Sequence, residues 1–152
     1  MDFQTAVKTC VTEKYMTFSG RASRSEYWWF FLAAVIVGLV LSVLHSQVIN
    51  AIYSLVLFLP ASAAGARRLQ DTGRPGWWIF IPMGLGLINR IFMSGAVQIG
   101  PDGMPTHMPG MFMGFLLMIF SLILLVVSLV FIWWLTRPSE QTANAYGPPP
   151  AA

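Results

Sequence analysis

From Trp28 to Leu44 the chain carries no charge, and the same holds from Val48 to Ala66 and from Met111 to Leu135. A fourth apolar stretch, residues 77–93, carries only Arg90. At about 1.5 Å of rise per residue, each stretch with its flanks can cross a hydrocarbon core of about 30 Å. A soluble domain could not bury them together. Charged residues are 10% of the chain and apolar residues 56%, whereas an average soluble domain is about 25% charged. A membrane protein need not hide apolar surface, because lipid is its solvent. The expected fold class is an all-α membrane protein with four transmembrane helices and a short amphipathic helix before them.

That first helix is expected over about residues 3–16, where Phe3, Val7, Cys10, Val11 and Tyr15 recur at three- and four-residue spacing and Asp2 can cap the start. Two placements stand for it: in the head-group layer with Lys8 and Lys14 toward anionic lipid, or packed on the rest of the protein. Cys10 is the single cysteine, so no intramolecular disulfide can form. The plain reading is a small apolar residue; a lipidated or reactive thiol is the sharper one. The apolar run from Tyr27 is longer than the core of a cleaved leader, and no small-residue cleavage site follows it.

Ser23 and Glu26 stand at capping-box spacing before the first crossing, 28–44, so Glu26 has a structural role available. A turn at His45-Ser46-Gln47 leads to the second crossing, 48–66. Pro60 lies inside it and removes a donor, leaving the Val56 carbonyl in need of another. Ala61/Gly65 and Ser62/Ala66 make a smooth face that lets a neighbour approach closely. Pro75 suits the first turn of the third crossing, 77–93. Arg90, near its far end, reads either as a snorkelling arginine or as an intramembrane charge. Residues 94–110 are expected to be an outer loop with a turn at Pro101-Asp102-Gly103. The fourth crossing, 111–135, opens with a weak Gly110/Gly114 helix-pairing signal. The division expected is one membrane domain, 1–137, with a cytoplasmic loop at 67–76 and a disordered tail at 138–152.

Four crossings bring both ends of this sequence to one side. Lys8, Lys14, Arg21, Arg24, Arg67, Arg68, Arg74 and Arg137 fall on that side, and Arg90 on the other. The positive-inside rule makes it cytoplasmic. The six tryptophans form three pairs, Trp28-Trp29, Trp77-Trp78 and Trp133-Trp134, all at the same inner interface as anchors. A net charge of +3, concentrated at the ends of apolar runs, suits anionic head groups rather than nucleic acid.

Two segments carry a resemblance. Phe18-Ser19-Gly20-Arg21-Ala22-Ser23-Arg24-Ser25-Glu26-Tyr27-Trp28 and Arg67-Arg68-Leu69-Gln70-Asp71-Thr72-Gly73-Arg74-Pro75-Gly76-Trp77-Trp78 resemble the signatures of domain-of-unknown-function family 805. Asn144-Ala145-Tyr146-Gly147-Pro148 is similar to that family's usual ending. The resemblance implies a small bacterial multi-pass inner-membrane protein and no particular activity. The sequence departs in its last third. Typical members reach the ending through one shorter apolar stretch, whereas here a loop and a full crossing intervene.

The chemistry available is limited. His45 and His107 are the only histidines and have no ligand-like spacing with Cys10 or a carboxylate, so neither a metal nor another cofactor is expected. No nucleophile elbow or Walker loop is present, and no catalytic residue is assigned. The one polar constellation is Arg21, Arg24, Glu26, Arg67, Arg68, Asp71 and Arg74. In one reading it is structural: Asp71 pairs with Arg68 or Arg74, Glu26 caps its helix, and arginines anchor to phosphates. In a second, the arginines grip an anionic phospholipid or an acidic partner. In a third, Glu26 and Asp71 do acid–base work on a lipid phosphate. The function expected is a non-enzymatic membrane adaptor or scaffold whose cytoplasmic arginine–tryptophan face binds anionic lipid or a partner protein, with a homo-oligomer as the other form of partnership. The alternatives are a small oligomeric channel or transporter component and a lipid-phosphate-directed enzyme.

Overall fold

The computed structural model describes residues 1–150. Its order is α1 (Phe3–Lys8), a π-helical turn (Thr9–Glu13), α2 (Arg24–Ser42), α3 (Gln47–Asp71), a 3-10 turn (Gly76–Ile79), α4 (Phe80–Ala96), β1 (Gln98–Ile99), β2 (Pro105–His107) and α5 (Met111–Thr136). Four helical stretches, 24–42, 47–71, 76–96 and 111–136, are long and apolar enough to cross a membrane. The all-α fold with four spanning helices and a short helix before them is the one expected.

The expected boundaries shift where local chemistry extends a helix. α2 begins four residues early because Ser23 caps it, its hydroxyl accepting from the Glu26 N–H at 3.2 Å. Arg67 to Asp71, expected in a loop, complete α3. Nothing in Arg67-Arg68-Leu69-Gln70 breaks a helix, and the stop comes at Gly73, whose φ is +72°. The amphipathic helix is shorter than expected, since it widens into the π turn after Lys8. Asp2 caps it, accepting from the Thr5 N–H at 2.8 Å. The expected outer loop forms a two-stranded hairpin, Gln98 opposite His107, turning through Asp102 and Gly103.

In place of one domain, the contacts gather into two compact units. One comprises 1–79 with 134–152 and the other comprises 80–133. In the second, Ser121 Oγ and Asn89 Oδ1 lie 3.1 Å apart, joining α5 to α4 through a polar pair inside apolar helices. Arg90 is exposed there.

The first unit holds the polar residues. Here α1 packs on α2, and Phe3 meets Trp29 edge-on at 5.9 Å between ring centroids. The packed placement is therefore the one adopted. The small-residue end of α3 is buried: Ser62, Ala63 and Ala64 have 0% exposure. Gly65 is needed there, because a Cβ would come within 2.8 Å of the Ile79 side chain. The Val56 carbonyl freed by Pro60 finds its donor in Tyr15, whose hydroxyl lies at 2.6 Å. Tyr15→Phe is expected to lower stability by about 1–2 kcal/mol, because an unmet carbonyl in lipid has no water to turn to. Thermal unfolding in nanodiscs checks this, and an unchanged midpoint would refute it.

The expected disordered tail is not observed over residues 138–147. It docks on α3, where the Glu140 N–H donates to Asp71 O at 3.2 Å and the Asn144 side chain donates through Nδ2 to Gln70 O at 3.0 Å, and its Thr142 carbonyl accepts from Arg21 at 2.8 Å. Asn144 and Gly147 close the segment by bonding each other's backbone in both directions at 3.1 Å. The physical reason is that buried guanidiniums require acceptors, and these carbonyls supply them.

Candidate functional site

The two arginines that end α3 point into protein. Arg67 is 1% exposed, and Arg68 and Asp71 are 0% exposed. Charges so deeply buried must be paired. Asp71 takes two partners. Arg21 Nε donates to its Oδ1 at 2.8 Å, and Arg68 Nη1 donates to its Oδ2 from one turn earlier on the same helix. Arg67 pairs with Glu26, which reaches across from the first turn of α2. The Glu26 side chain thus spans the α2–α3 interface instead of folding back on its own cap.

Cys10 completes the second pair. Its thiol lies 3.7 Å from Arg67 Nη2 and 3.9 Å from Glu26 Oε1. Burial pushes the thiol above its ordinary value, outweighing the pull of the Arg67 guanidinium. At neutral pH it is a buried neutral thiol, so the structural reading of Cys10 is the one its surroundings match. Arg67 Nε and Gln70 Oε1 have no hydrogen-bond partner among the described residues.

Within this cluster three guanidiniums, Arg21, Arg67 and Arg68, face two carboxylates, Glu26 and Asp71. The remaining positive charge is met by dipoles. Arg68 Nε donates to the Leu135 carbonyl at 3.0 Å and its Nη2 to that of Arg137, so Arg68 closes the C-terminus of α5. Arg21 Nη1 reaches the carbonyls of Thr142, at 2.8 Å, and Gly147, at 3.3 Å, while its Nη2 reaches that of Glu140. The loop before α2 is stitched to the same point, where Ala22 N–H donates to Arg67 O at 3.2 Å and Gln70 Nε2 to Phe18 O at 3.0 Å.

Five of the seven polar residues singled out from sequence therefore meet: Arg21, Glu26, Arg67, Arg68 and Asp71. Asp71 pairs with Arg68, as the structural reading allows, and with Arg21, not with Arg74. The other two remain outside. Arg24 is exposed and makes no hydrogen bond or ion pair among the described residues. Arg74 donates to the Thr72 carbonyl at 3.1 Å and lies 4.9 Å over the Trp134 ring. Trp134 in turn packs on Trp78 at 5.4 Å with the rings tilted by 34°, and Trp77 stands edge-on to Trp78 at 6.3 Å. Trp77 is 64% exposed and Trp133 is 54% exposed; Trp28 is half-buried, and Trp29 meets Phe3 edge-on.

This pairing of the end of α3 with the loop before α2 and with the Asn144–Gly147 segment joins the three segments that carry the family resemblance. A profile of proteins of unknown function, DUF805, matches residues 15–148. The chain belongs to the DUF805 family. It is 38% identical over 106 residues to inner membrane protein YhaI of Escherichia coli K12, covering 60% of this chain and 90% of that protein. It is 36% identical over 110 residues to inner membrane protein YhaH of the same strain, covering 60% of this chain and 91% of that one. No solved structure matches. The family membership and the multi-pass membrane architecture thus stand as expected.

Sequence reasoning missed the contributions of Cys10, Ala22, Gln70, Asn144 and the tail carbonyls. The family-like ending at Asn144–Gly147 was the one available signal for the tail. Backbone carbonyls carry no residue-type signature, so nothing in composition could direct Arg21 to Thr142.

Proposed function

We propose that this chain is a non-enzymatic adaptor or scaffold of the bacterial inner membrane, with both ends of the sequence cytoplasmic. It engages anionic lipid or a partner protein through its outward cation–indole surface. The observation that carries this reading is the Arg74 guanidinium over the Trp134 ring, which in turn packs at a tilt on Trp78 beside the exposed Trp77. A guanidinium held over indoles at the end of membrane-length helices offers charge to a phosphate or carboxylate while its rings sit at head-group depth. Arg21, Arg67 and Arg68 serve as the lock that holds this surface in place. The acid–base alternative is disfavoured because Glu26 and Asp71 are each committed to buried guanidiniums. The inward-facing orientation rests on the positive-inside rule and on the tryptophan pairs.

Native mass spectrometry of protein released gently from its membranes tests the reading. Arg74→Glu leaves the buried cluster intact and is expected to reduce retained anionic lipid, or a stoichiometric partner, at least fivefold. Retention equal to that of the unaltered protein would overturn the proposal.

A further inference from the structure

Residues 138–147 cross the arginine cluster as a single layer of chain. Pro138, Glu140, Gln141, Thr142 and Ala143 are exposed, and no apolar side chain in this stretch is buried. The segment is held by polar contacts: the Thr142, Gly147 and Glu140 carbonyls on Arg21, the Glu140 N–H on Asp71 O, and the Asn144 side chain on Gln70 O. Segments held this way, with few buried apolar contacts, open more readily than packed elements. Directly beneath lie Arg21 and Arg68, which share the single carboxylate of Asp71.

Beside the segment is a cleft of about 270 Å³, lined by Ser23, Arg24 and Ser25 from the start of α2 and by Ser139, Glu140 and Gln141 from the tail. Arg24 lines this cleft without a hydrogen-bonding partner among the described residues. The Glu140 carboxylate there accepts from Asn144 Nδ2 at 2.7 Å, so it is paired within its own segment. The cleft thus has one wall with an unused cation, Arg24, and another that covers Arg21.

We propose that residues 138–147 are a displaceable strap over a latent phosphate site formed by Arg21 and Arg24, next to the buried Arg68–Asp71 pair. A phosphate group, as carried by an anionic lipid head group, enters beside Arg24. It then takes over the guanidinium edges that the strap carbonyls occupy. Charge-assisted guanidinium–phosphate bonds are about twice as strong as bonds between neutral groups, and the guanidinium fork matches phosphate oxygens bidentately. The cluster has a cation in excess, which the strap meets only with dipoles. Glu140 is repelled by an entering phosphate and is carried on the strap, so the repulsive carboxylate leaves with the carbonyls it accompanies. The inference rests on the lipid-binding reading above and adds its regulation: Arg21 is withheld until an anion displaces the tail.

Hydrogen–deuterium exchange on the full chain in nanodiscs tests it. The membranes are phosphatidylcholine alone, phosphatidylcholine with phosphatidylglycerol, and phosphatidylcholine with inorganic phosphate at matched ionic strength. Backbone amides of residues 140–147 are expected to exchange about tenfold faster with phosphatidylglycerol than with phosphatidylcholine alone, while those of α3 stay protected. Release by inorganic phosphate as well would assign the site to the phosphate group itself; release by phosphatidylglycerol alone would assign it to the lipid. Equal exchange in all three membranes would overturn the proposal. Arg24→Gln is expected to raise severalfold the phosphatidylglycerol fraction needed for half-release, and an unchanged requirement would also overturn it. The two readings fail separately. Lipid lost on Arg74→Glu alongside a strap that never loosens keeps the adaptor and removes the strap. Lipid retained on Arg74→Glu alongside a strap that loosens removes the outward face as the docking surface.

Discussion

Asp71→Ala is expected to destabilise the first unit by about 3–5 kcal/mol, more than any other single substitution in the polar cluster. Asp71 is the shared acceptor of Arg21 and Arg68, and all three side chains are at most 1% exposed. Removing it leaves two guanidiniums facing each other with no anion between them. Losing one partner of a buried pair is costly because the remaining charge is stranded, not because the pair itself is worth so much. Asp71→Asn separates the two contributions. It keeps the volume and two hydrogen-bonding atoms but removes the charge, and it is expected to show most of the loss. Removing both members of the neighbouring pair, Arg67→Met with Glu26→Met, is expected to cost less than either single change, because no charge is left alone. Thermal or denaturant unfolding in a zwitterionic detergent reads all five variants, the two single changes of the Arg67–Glu26 pair included. An Asp71→Ala protein within about 1 kcal/mol of the unaltered chain would show that water enters the cluster and screens it.

What could be read in advance follows a physical divide. Features set by local steric and hydrogen-bonding rules were legible. Ser23 caps α2, Asp2 caps α1, Gly65 admits a close neighbour, and Pro60 leaves the Val56 carbonyl wanting a donor. The lengths of the four apolar stretches fixed the fold class, because lipid permits few solutions. The polar cluster was only half legible. Its residue types stood out against so apolar a chain, but whether an arginine faces phosphate or protein depends on which acceptors the tertiary fold brings to it. Arg67 and Arg68 follow an apolar helix and look like interfacial anchors. They are buried because α2 supplies Glu26, the last turn of α3 supplies Asp71, and the end of α5 supplies the Leu135 and Arg137 carbonyls. The tail was the hardest part. A polar segment rich in proline has the composition of a disordered one, and it docks here through main-chain groups that every sequence possesses.

The tail also gives the second large expected effect. A chain ending after Arg137 is expected to lose about 2–4 kcal/mol of stability, while one ending after Pro148 loses no more than about 0.5 kcal/mol. The first truncation removes three carbonyl partners of Arg21, those of Glu140, Thr142 and Gly147, together with the Ser139 hydroxyl near Arg68. Hydrogen bonds to charged groups contribute about 1.5–3 kcal/mol each. Their sum overstates the loss, because water reaches Arg21 once the strap is gone. The second truncation keeps every one of these bonds, including the Asn144–Gly147 closure. Paired unfolding curves in zwitterionic micelles make the comparison. If the two truncations were equally stable, the docked tail would contribute nothing. The same pair also separates a structural clasp from a displaceable strap. A clasp is missed equally in any detergent. A strap over a phosphate site is missed less where anions abound, so the shorter chain should recover part of its stability in micelles doped with phosphatidylglycerol, while the longer one gains little. The recovery would come from lipid phosphates taking the positions on Arg21 that the carbonyls of Glu140, Thr142 and Gly147 hold in the intact chain.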